Sequence, residues 1–244
     1  MLKAIFRQFA LKFGYRLSRI DTPPEHRHAL RDLQYLLRHT HEPIVFDVGA
    51  YQGQFTDDLL RLIPNARVWA LEPTAQQALK LNNKYSKPNI TVLTEAVSDF
   101  CGQAQLFENT DASTNSLFPV DNSVDKTHTW GNGRLQEIAS QIINVRTLDA
   151  ITRSENVHHI DLLKLDIQGA EPNVIRGASE LLKRKAINLV YTEMITTPTY
   201  RNQCDVGAFI STFQQHGLCL FNIYNLISAS NGQLLQCDLI FKRS

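Results

Sequence analysis

Three carboxylates close apolar runs in the second half of the chain: Asp166, Glu171 and Glu193. The first two end the stretch Ile160-Asp-Leu-Leu-Lys-Leu-Asp-Ile-Gln-Gly-Ala-Glu171. There an apolar run breaks onto an acid, a tight turn and a second acid, and Pro172 opens a helix. Glu193 closes Leu189-Val-Tyr-Thr-Glu193. A buried strand that ends this way offers its acid to a ligand at the carboxyl edge of an α/β sheet. Three acids grouped there can bind a hydroxyl, take up its proton or hold a divalent metal. Each also has a plainer use. Asp166 can brace a loop, Glu171 can cap a helix, and Glu193 can pair with an arginine. The choice of base between Glu171 and Glu193 stays open.

An upstream segment, Ile44-Val-Phe-Asp-Val-Gly-Ala-Tyr-Gln-Gly53, is a second buried strand running into a glycine turn. Gly49 and Gly53 let the backbone pass close to a ligand, and the N–H groups of the next helix add a partial positive field. The spacing is Gly-x-x-x-Gly, so the dinucleotide fingerprint GxGxxG is missing. Glu72 closes the next apolar run and can accept hydrogen bonds from two ribose hydroxyls. That carboxylate indicates a nucleoside without saying which one. His158 and His159 precede the fourth strand at its far end and read as surface residues. His128, in a long polar loop, is an alternative base.

These groups need a scaffold, and the chain supplies one by alternation. Strands are expected at Ile44–Val48, Arg67–Leu71, Ile90–Leu93, Asp161–Leu165, Asn188–Thr192, Leu218–Ile223 and Leu235–Phe241. Helices are expected near Thr56–Leu62, Ala75–Tyr85, Asn173–Arg184 and Val206–His216. Thr74 and Gln77 have capping-box spacing, and Gly217 suits a helix C-terminus. The link Asn225–Gln233 is too short for a helical crossover, so the last two strands pair antiparallel. The alternation breaks between about residues 98 and 145. There Gln103–Phe107 and Gln141–Val145 read as strands flanking a polar loop, Asn109–Trp130, expected to cap the acceptor site.

The motifs Phe46-Asp-Val-Gly-Ala-Tyr-Gln-Gly53, Leu71-Glu-Pro73, Ala96-Val-Ser-Asp99, Thr147-Leu-Asp149 and Leu163-Lys-Leu-Asp-Ile-Gln-Gly-Ala-Glu171 occur in that order. Together they resemble the FkbM-type methyltransferases, which use S-adenosylmethionine, over roughly residues 44–195. The resemblance implies a Rossmann-like class I α/β fold: a mainly parallel seven-stranded sheet with a terminal antiparallel hairpin strand and helices on both faces. It implies cofactor contacts from Asp47, Gly49, Ala50, Tyr51, Gly53, Glu72, Pro73, Glu95 and Ala96, with Glu95 near the adenine. It implies a catalytic group drawn from Asp166, Glu171 and Glu193, and a hydroxyl of a glycan or related small-molecule metabolite as acceptor. Two residues depart from the family pattern. Tyr51 stands where Asn is common, and Gln168 where Glu is common. Gln168 removes a charge and so weakens the case for a three-carboxylate metal site; no metal is expected.

Methyl transfer from a sulfonium is an in-line displacement that depends mainly on positioning. A nicotinamide-dependent oxidoreductase is the competing enzyme, disfavoured by the missing fingerprint and the terminal hairpin. A non-catalytic membrane-associated adaptor is disfavoured by acids intact at all three strand ends.

The chain has 244 residues and a net charge of +1, which hides an asymmetry. Residues 1–20 carry Lys3, Arg7, Lys12, Arg16 and Arg19 and no acid, leaving 20 basic against 24 acidic side chains elsewhere. A mildly acidic body argues against a nucleic-acid cleft as the main site. Leu2, Ile5, Phe6, Phe9, Phe13, Leu17 and Ile20 form one apolar stripe at helical spacing, flanked by those cations. It suits peripheral membrane contact or packing on a protein surface equally. Thr22, Glu25 and Pro23 then start a second helix, giving an N-terminal unit of residues 1–42 before the methyltransferase domain of residues 43–244. Four scattered cysteines, Cys101, Cys204, Cys219 and Cys237, fit a reducing compartment and a cytoplasmic protein.

Overall fold

The computed structural model describes residues 28–123 and 133–244. The stripe of residues 1–20, the capping box at Thr22 and Glu25, and His128 lie outside them. The first described helix, α1 (Ala29–Leu37), lays Ala29, Leu33 and Leu37 into the core. Strands and helices then alternate: β1 (Ile44–Val48), α2 (Gln54–Leu62), β2 (Arg67–Leu71), α3 (Ala75–Lys84) and β3 (Ile90–Leu93). After an insertion come α4 (Leu148–Ser154), β7 (Ile160–Leu165), α5 (Glu171–Arg176), α6 (Ser179–Lys183), β8 (Ile187–Ile195), α7 (Val206–Gln214), β9 (Leu218–Ser228) and β10 (Leu234–Arg243).

The main sheet has seven strands in the order β3-β2-β1-β7-β8-β10-β9. The pairs among β3, β2, β1, β7 and β8 are parallel, and β10 is antiparallel to both β8 and β9. The chain leaves β1 toward one edge and returns at β7 toward the other. The carboxyl ends of β1 and β7 therefore flank a topological switch point, where open α/β sheets bind ligands. This is the class I methyltransferase architecture expected from the sequence.

Both faces of the sheet are covered. Phe46, Trp69, Leu163, Phe213 and Phe241 lie in one apolar cluster and Val45, Val68, Leu162 and Ile240 in the other. The period-two alternation of each strand produces this division. All six residues of β7 are buried, Asp161 and Lys164 among them. Among the described residues no helix is long and apolar enough to cross a membrane.

Three local expectations are corrected. The helix expected over residues 173–184 is split into α5 and α6 at Gly177, where a Cβ would collide with the Ser98 carbonyl oxygen. Helix α4 was not expected. It is capped by Thr147, whose side chain accepts from the Ala150 N–H at 3.1 Å, while Asp149 accepts from the N–H groups of Glu180 and Leu181 on α6. Thr74 does not form a capping box. Its hydroxyl donates to Glu72 Oε1 at 2.7 Å, so the capping group is spent on the strand-end acid.

The insertion builds a second sheet from β4 (Ala96–Val97), β5 (Gly102–Asn109) and β6 (Glu137–Arg146), in the order β4-β6-β5. Strands β5 and β6 pair antiparallel from Gly102↔Val145 to Asn109↔Glu137. Beyond β5 a short 3-10 turn, Ala112–Thr114, brings the connecting loop back over the carboxyl edge of the main sheet.

Candidate active site

Two adjoining cavities open at the carboxyl edge. The larger is about 600 Å³ and lies between the ends of β1 and β2 and the insertion. Gly49, Tyr51, Glu72, Pro73, Glu95, Ala96, Asp166 and Gln168 all line it. The smaller is about 320 Å³, and Asp166, Gln168, Glu193 and Gln236 line it with Ser113, Thr114 and Arg134 from the insertion. Asp166, Gln168 and Ser113 belong to both walls. The insertion thus covers the larger cavity and lines the smaller one with Ser113, Thr114 and Arg134.

Glu72 stands at the end of β2 with 6% of its surface exposed. Its Oε2 accepts from the Tyr51 N–H at 3.0 Å, and its Oε1 from the Thr74 N–H at 3.1 Å as well as from the Thr74 hydroxyl. Burial raises its pKa against the pull of these donors. Tyr51 adopts a left-handed backbone, φ 47°, the conformation that Asn tolerates better than most residues. That geometry aims the Tyr51 N–H at Glu72. Glu95 forms an ion pair with Arg146 at 3.2 Å. Two further acceptors on this wall, Gln77 Oε1 and Asn109 Oδ1, are buried without a hydrogen-bond partner among the described residues.

Three of the expected cofactor contacts, Asp47, Ala50 and Gly53, are not part of that lining. Asp47 is fully buried, ion-paired to Lys164 at 3.0 Å and accepting from the Thr56 hydroxyl at 2.8 Å. Ala50 packs with Ala70 and Leu81. Gly53 has φ 77°, in the left-handed region that favours glycine, and the Tyr85 hydroxyl stands where its Cβ would lie. Gly49 does line the cavity, but its lack of a side chain serves packing too. With φ 78° it lies so close to the Asp166 carbonyl that a Cβ would collide with the oxygen. The glycine turn thereby locks the end of β1 to the end of β7.

Asp166 directly follows β7, and its side chain is 43% exposed. Glu193 lies two residues before the end of β8. Gln168 Nε2 donates to Asp166 Oδ1 at 3.0 Å and to Glu193 Oε2 at 2.8 Å. Gln236 Nε2 donates to Glu193 Oε1 at 2.6 Å. Burial first, and then the charges of Asp166, Glu171 and Asp238, push the Glu193 carboxyl well above the ordinary carboxylate range. Asp238 pairs with Glu193 across β10 and β8 and accepts from Tyr191 Oη at 2.5 Å and Asn225 Nδ2 at 2.6 Å.

Glu171 lines neither cavity. It is 2% exposed, and its Oε1 accepts from the N–H groups of Ile167 at 3.0 Å and Gly169 at 3.2 Å. Burial raises its pKa to about 7. The carboxylate is spent on the loop that carries Asp166 and Gln168, so this candidate base sits beneath the site. His158 and His159 are exposed at the opposite end of β7, as expected.

Sequence reasoning assigned no role to Lys164, which is 6% exposed in the middle of the sheet. Its Nζ donates to the Gly49 carbonyl at 2.8 Å and lies 3.7 Å from Asp166 Oδ2. Burial opposes its charge, but Asp47, Asp166 and Glu193 outweigh that and raise its pKa. A lysine in the middle of the mainly apolar strand Ile160-Asp-Leu-Leu-Lys-Leu165 was the available signal. Tyr200 and Gln236 were also missed, because they reach the site from a loop and from an antiparallel strand. Among the described residues there is no group of three or more His, Cys, Asp or Glu side chains arranged to hold a metal ion.

The profile of the methyltransferase FkbM domain matches residues 47–218. The chain belongs to the FkbM methyltransferase family. The 2-O-methyltransferase NoeI of Sinorhizobium fredii is 24% identical over 172 residues, which cover 69% of this chain and 70% of the relative. Similar solved structures include a 1,6-didemethyltoxoflavin N1-methyltransferase from Burkholderia thailandensis with bound S-adenosylhomocysteine. It has 11% identity and a TM-score of 0.44, covering 100% of this chain and 89% of that one. Another is Aeropyrum pernix fibrillarin with bound S-adenosyl-L-methionine, at 12% identity and a TM-score of 0.45, covering 82% and 66%.

The larger cavity suits the cofactor of this family. Its volume is within the ordinary range for a small-molecule site. Its wall presents a strand-end carboxylate and two unpartnered buried oxygens, Gln77 Oε1 and Asn109 Oδ1, which match the hydroxyl and amino donors of a nucleoside. The protein is an S-adenosylmethionine-dependent methyltransferase.

Proposed function

We propose that the enzyme methylates a hydroxyl group of a neutral glycan or related metabolite bound in the smaller cavity. The observation that carries this reading is the wall shared by the two cavities. Asp166 and Gln168 face both, and Glu193 stands immediately behind them on the acceptor side. The name of the NoeI relative, a 2-O-methyltransferase, supports oxygen as the attacking atom.

S-adenosylmethionine supplies a sulfonium methyl group open to in-line attack. Glu72 is assigned to the ribose diol, within a frame made by Gly49, Tyr51, Pro73 and Ala96. Gln77 and Asn109 take further donors, and Glu95 borders the nucleobase side through its pairing with Arg146. The insertion excludes water from the cavity it covers. On the acceptor side Asp166 orients the hydroxyl, and Glu193 accepts its proton as the oxygen attacks. A carboxyl held above the ordinary carboxylate range by burial is a stronger proton acceptor than a free one. Two acids and two glutamine amides at the acceptor wall favour a neutral polyol over an anion. Glu171 acts through the loop that it holds. The apolar stripe of residues 1–20 and its flanking cations are assigned to peripheral contact with an anionic surface.

The test is methyl transfer from labelled S-adenosylmethionine to a panel of neutral saccharides, acidic saccharides and amines, with the product mapped by NMR. An O-methyl product from a neutral saccharide is expected. Labelling of amines alone would overturn the reading.

A further inference from the structure

The Gln168 side chain occupies the gap between two acids that would otherwise face each other. One amide nitrogen carries two hydrogens, and Gln168 Nε2 is within hydrogen-bond distance of Asp166 Oδ1 at 3.0 Å and Glu193 Oε2 at 2.8 Å. Paired carboxylates normally need a shared proton or a cation between them. Here the Lys164 ammonium lies 3.7 Å from Asp166 Oδ2, and the group that bridges the two acids is a neutral donor.

The residue is held at every end. The Tyr200 hydroxyl lies 3.1 Å from Gln168 Oε1, and the Ser116 hydroxyl donates to the Gln168 carbonyl at 2.8 Å. Ser116 and Tyr200 are themselves buried. The Gln168 backbone is left-handed, φ 59°. A non-glycine residue keeps such a conformation only where its surroundings over-determine it, and such outliers gather at functional sites. The insertion contributes Ser116 and the loop after β8 contributes Tyr200, while Asp166 follows β7 and Glu193 lies within β8. The Gln168 side chain thus ties its own loop to β8 and to the loop after β8, and its backbone carbonyl ties that loop to the insertion.

We propose that Gln168 is the positioning residue of the acceptor site, its amide holding Asp166 and Glu193 side by side in place of a divalent cation. The inference rests on the assignment of those two acids to the acceptor. It makes turnover independent of metal. It also means that exchanging the amide for a carboxylate, at the same length, gathers three carboxylates around one point, a donor set suited to Mn²⁺ or Mg²⁺.

The test uses full-length protein with S-adenosylhomocysteine added and manganese as probe, read by electron paramagnetic resonance titration. The wild type should bind no stoichiometric Mn²⁺. Gln168→Glu should bind one ion per chain, at least ~10-fold more tightly than any wild-type binding, a step of about 1.4 kcal/mol. Gln168→Leu keeps the bulk and loses the donors. It should retain S-adenosylhomocysteine affinity within about twofold while kcat falls roughly 10²-fold, the scale of a small misplacement of reacting groups. Wild-type turnover should survive EDTA. The proposal is overturned by one wild-type Mn²⁺ per chain with turnover lost in EDTA, by a Gln168→Glu protein that binds S-adenosylhomocysteine normally but no Mn²⁺, or by wild-type kcat in Gln168→Leu. Failure of the wild type to methylate any hydroxyl would defeat the acceptor reading, and the manganese comparison would still decide the role of Gln168.

Discussion

Replacing Glu171 by Gln should make the protein relatively more stable as the pH rises. The wild-type carboxyl is 2% exposed, with a pKa raised from 4.5 to about 7 in the fold, chiefly by burial. A group whose folded pKa exceeds its unfolded value contributes stability that is complete below the unfolded pKa and is lost as the pH climbs through the folded one. For Glu171 that window runs from about 4.5 to about 7. At about 1.4 kcal/mol for each tenfold change in proton affinity, the full loss is about 3 kcal/mol. Gln keeps an oxygen for the N–H groups of Ile167 and Gly169 but does not titrate. Wild type and variant should therefore be closest in stability near pH 4.5, and the variant should gain roughly 3 kcal/mol on the wild type by pH 8. Glu72, Glu193 and Asp238 also have raised pKa values, so wild-type stability alone does not isolate Glu171. The difference between the two proteins largely cancels those other groups. Urea unfolding at each pH unit from 5 to 8, with m values compared, measures it. A stability difference that stays flat across this range would refute the assignment of Glu171 as a buried carboxyl forced to ionise beneath the loop.

Glu72→Gln should weaken S-adenosylhomocysteine binding by roughly 1.5–3 kcal/mol through loss of a charged acceptor; calorimetry giving unchanged affinity would remove Glu72 from the ribose site. Gln is preferred to Ala there because the N–H groups of Tyr51 and Thr74 also depend on that side chain. Glu193→Gln should cost about 10²–10⁴ in turnover, whereas wild-type activity should rise with pH as the Glu193 carboxyl ionises. Asp166→Asn should raise the acceptor KM more than it lowers kcat, and steady-state kinetics that reverse this order would exchange the two roles. Deleting residues 1–20 should reduce flotation with anionic vesicles at low salt by an amount reflecting ~1 kcal/mol per cation. Equal flotation of the two forms with a large fall in melting temperature would assign the segment to packing instead.

The class of the fold was legible in the sequence because burial writes itself there. The mainly apolar strand runs and their alternation with helices specify a covered parallel sheet, and the short link before β10 specifies the hairpin. The strand-end acids were legible for the same reason, since a carboxylate after a buried strand emerges at the sheet edge. Their division of labour was not. Glu171 and Glu193 look alike as residues that follow apolar runs, yet one turns inward to two loop N–H groups and the other faces a cavity. Gly53 and Gly49 looked like equivalent ligand glycines, but Tyr85 claims the first and the Asp166 carbonyl lies against the second. Gln168 was visible only as a missing charge, until Glu193, Tyr200 and Ser116 were brought from three other segments around it and Asp166 of its own loop. Local sequence determines which groups reach the carboxyl edge. Which of them touch is decided by strand order and loop packing, because hydrogen bonds form across distances of about 3 Å that the chain spans only after it has folded.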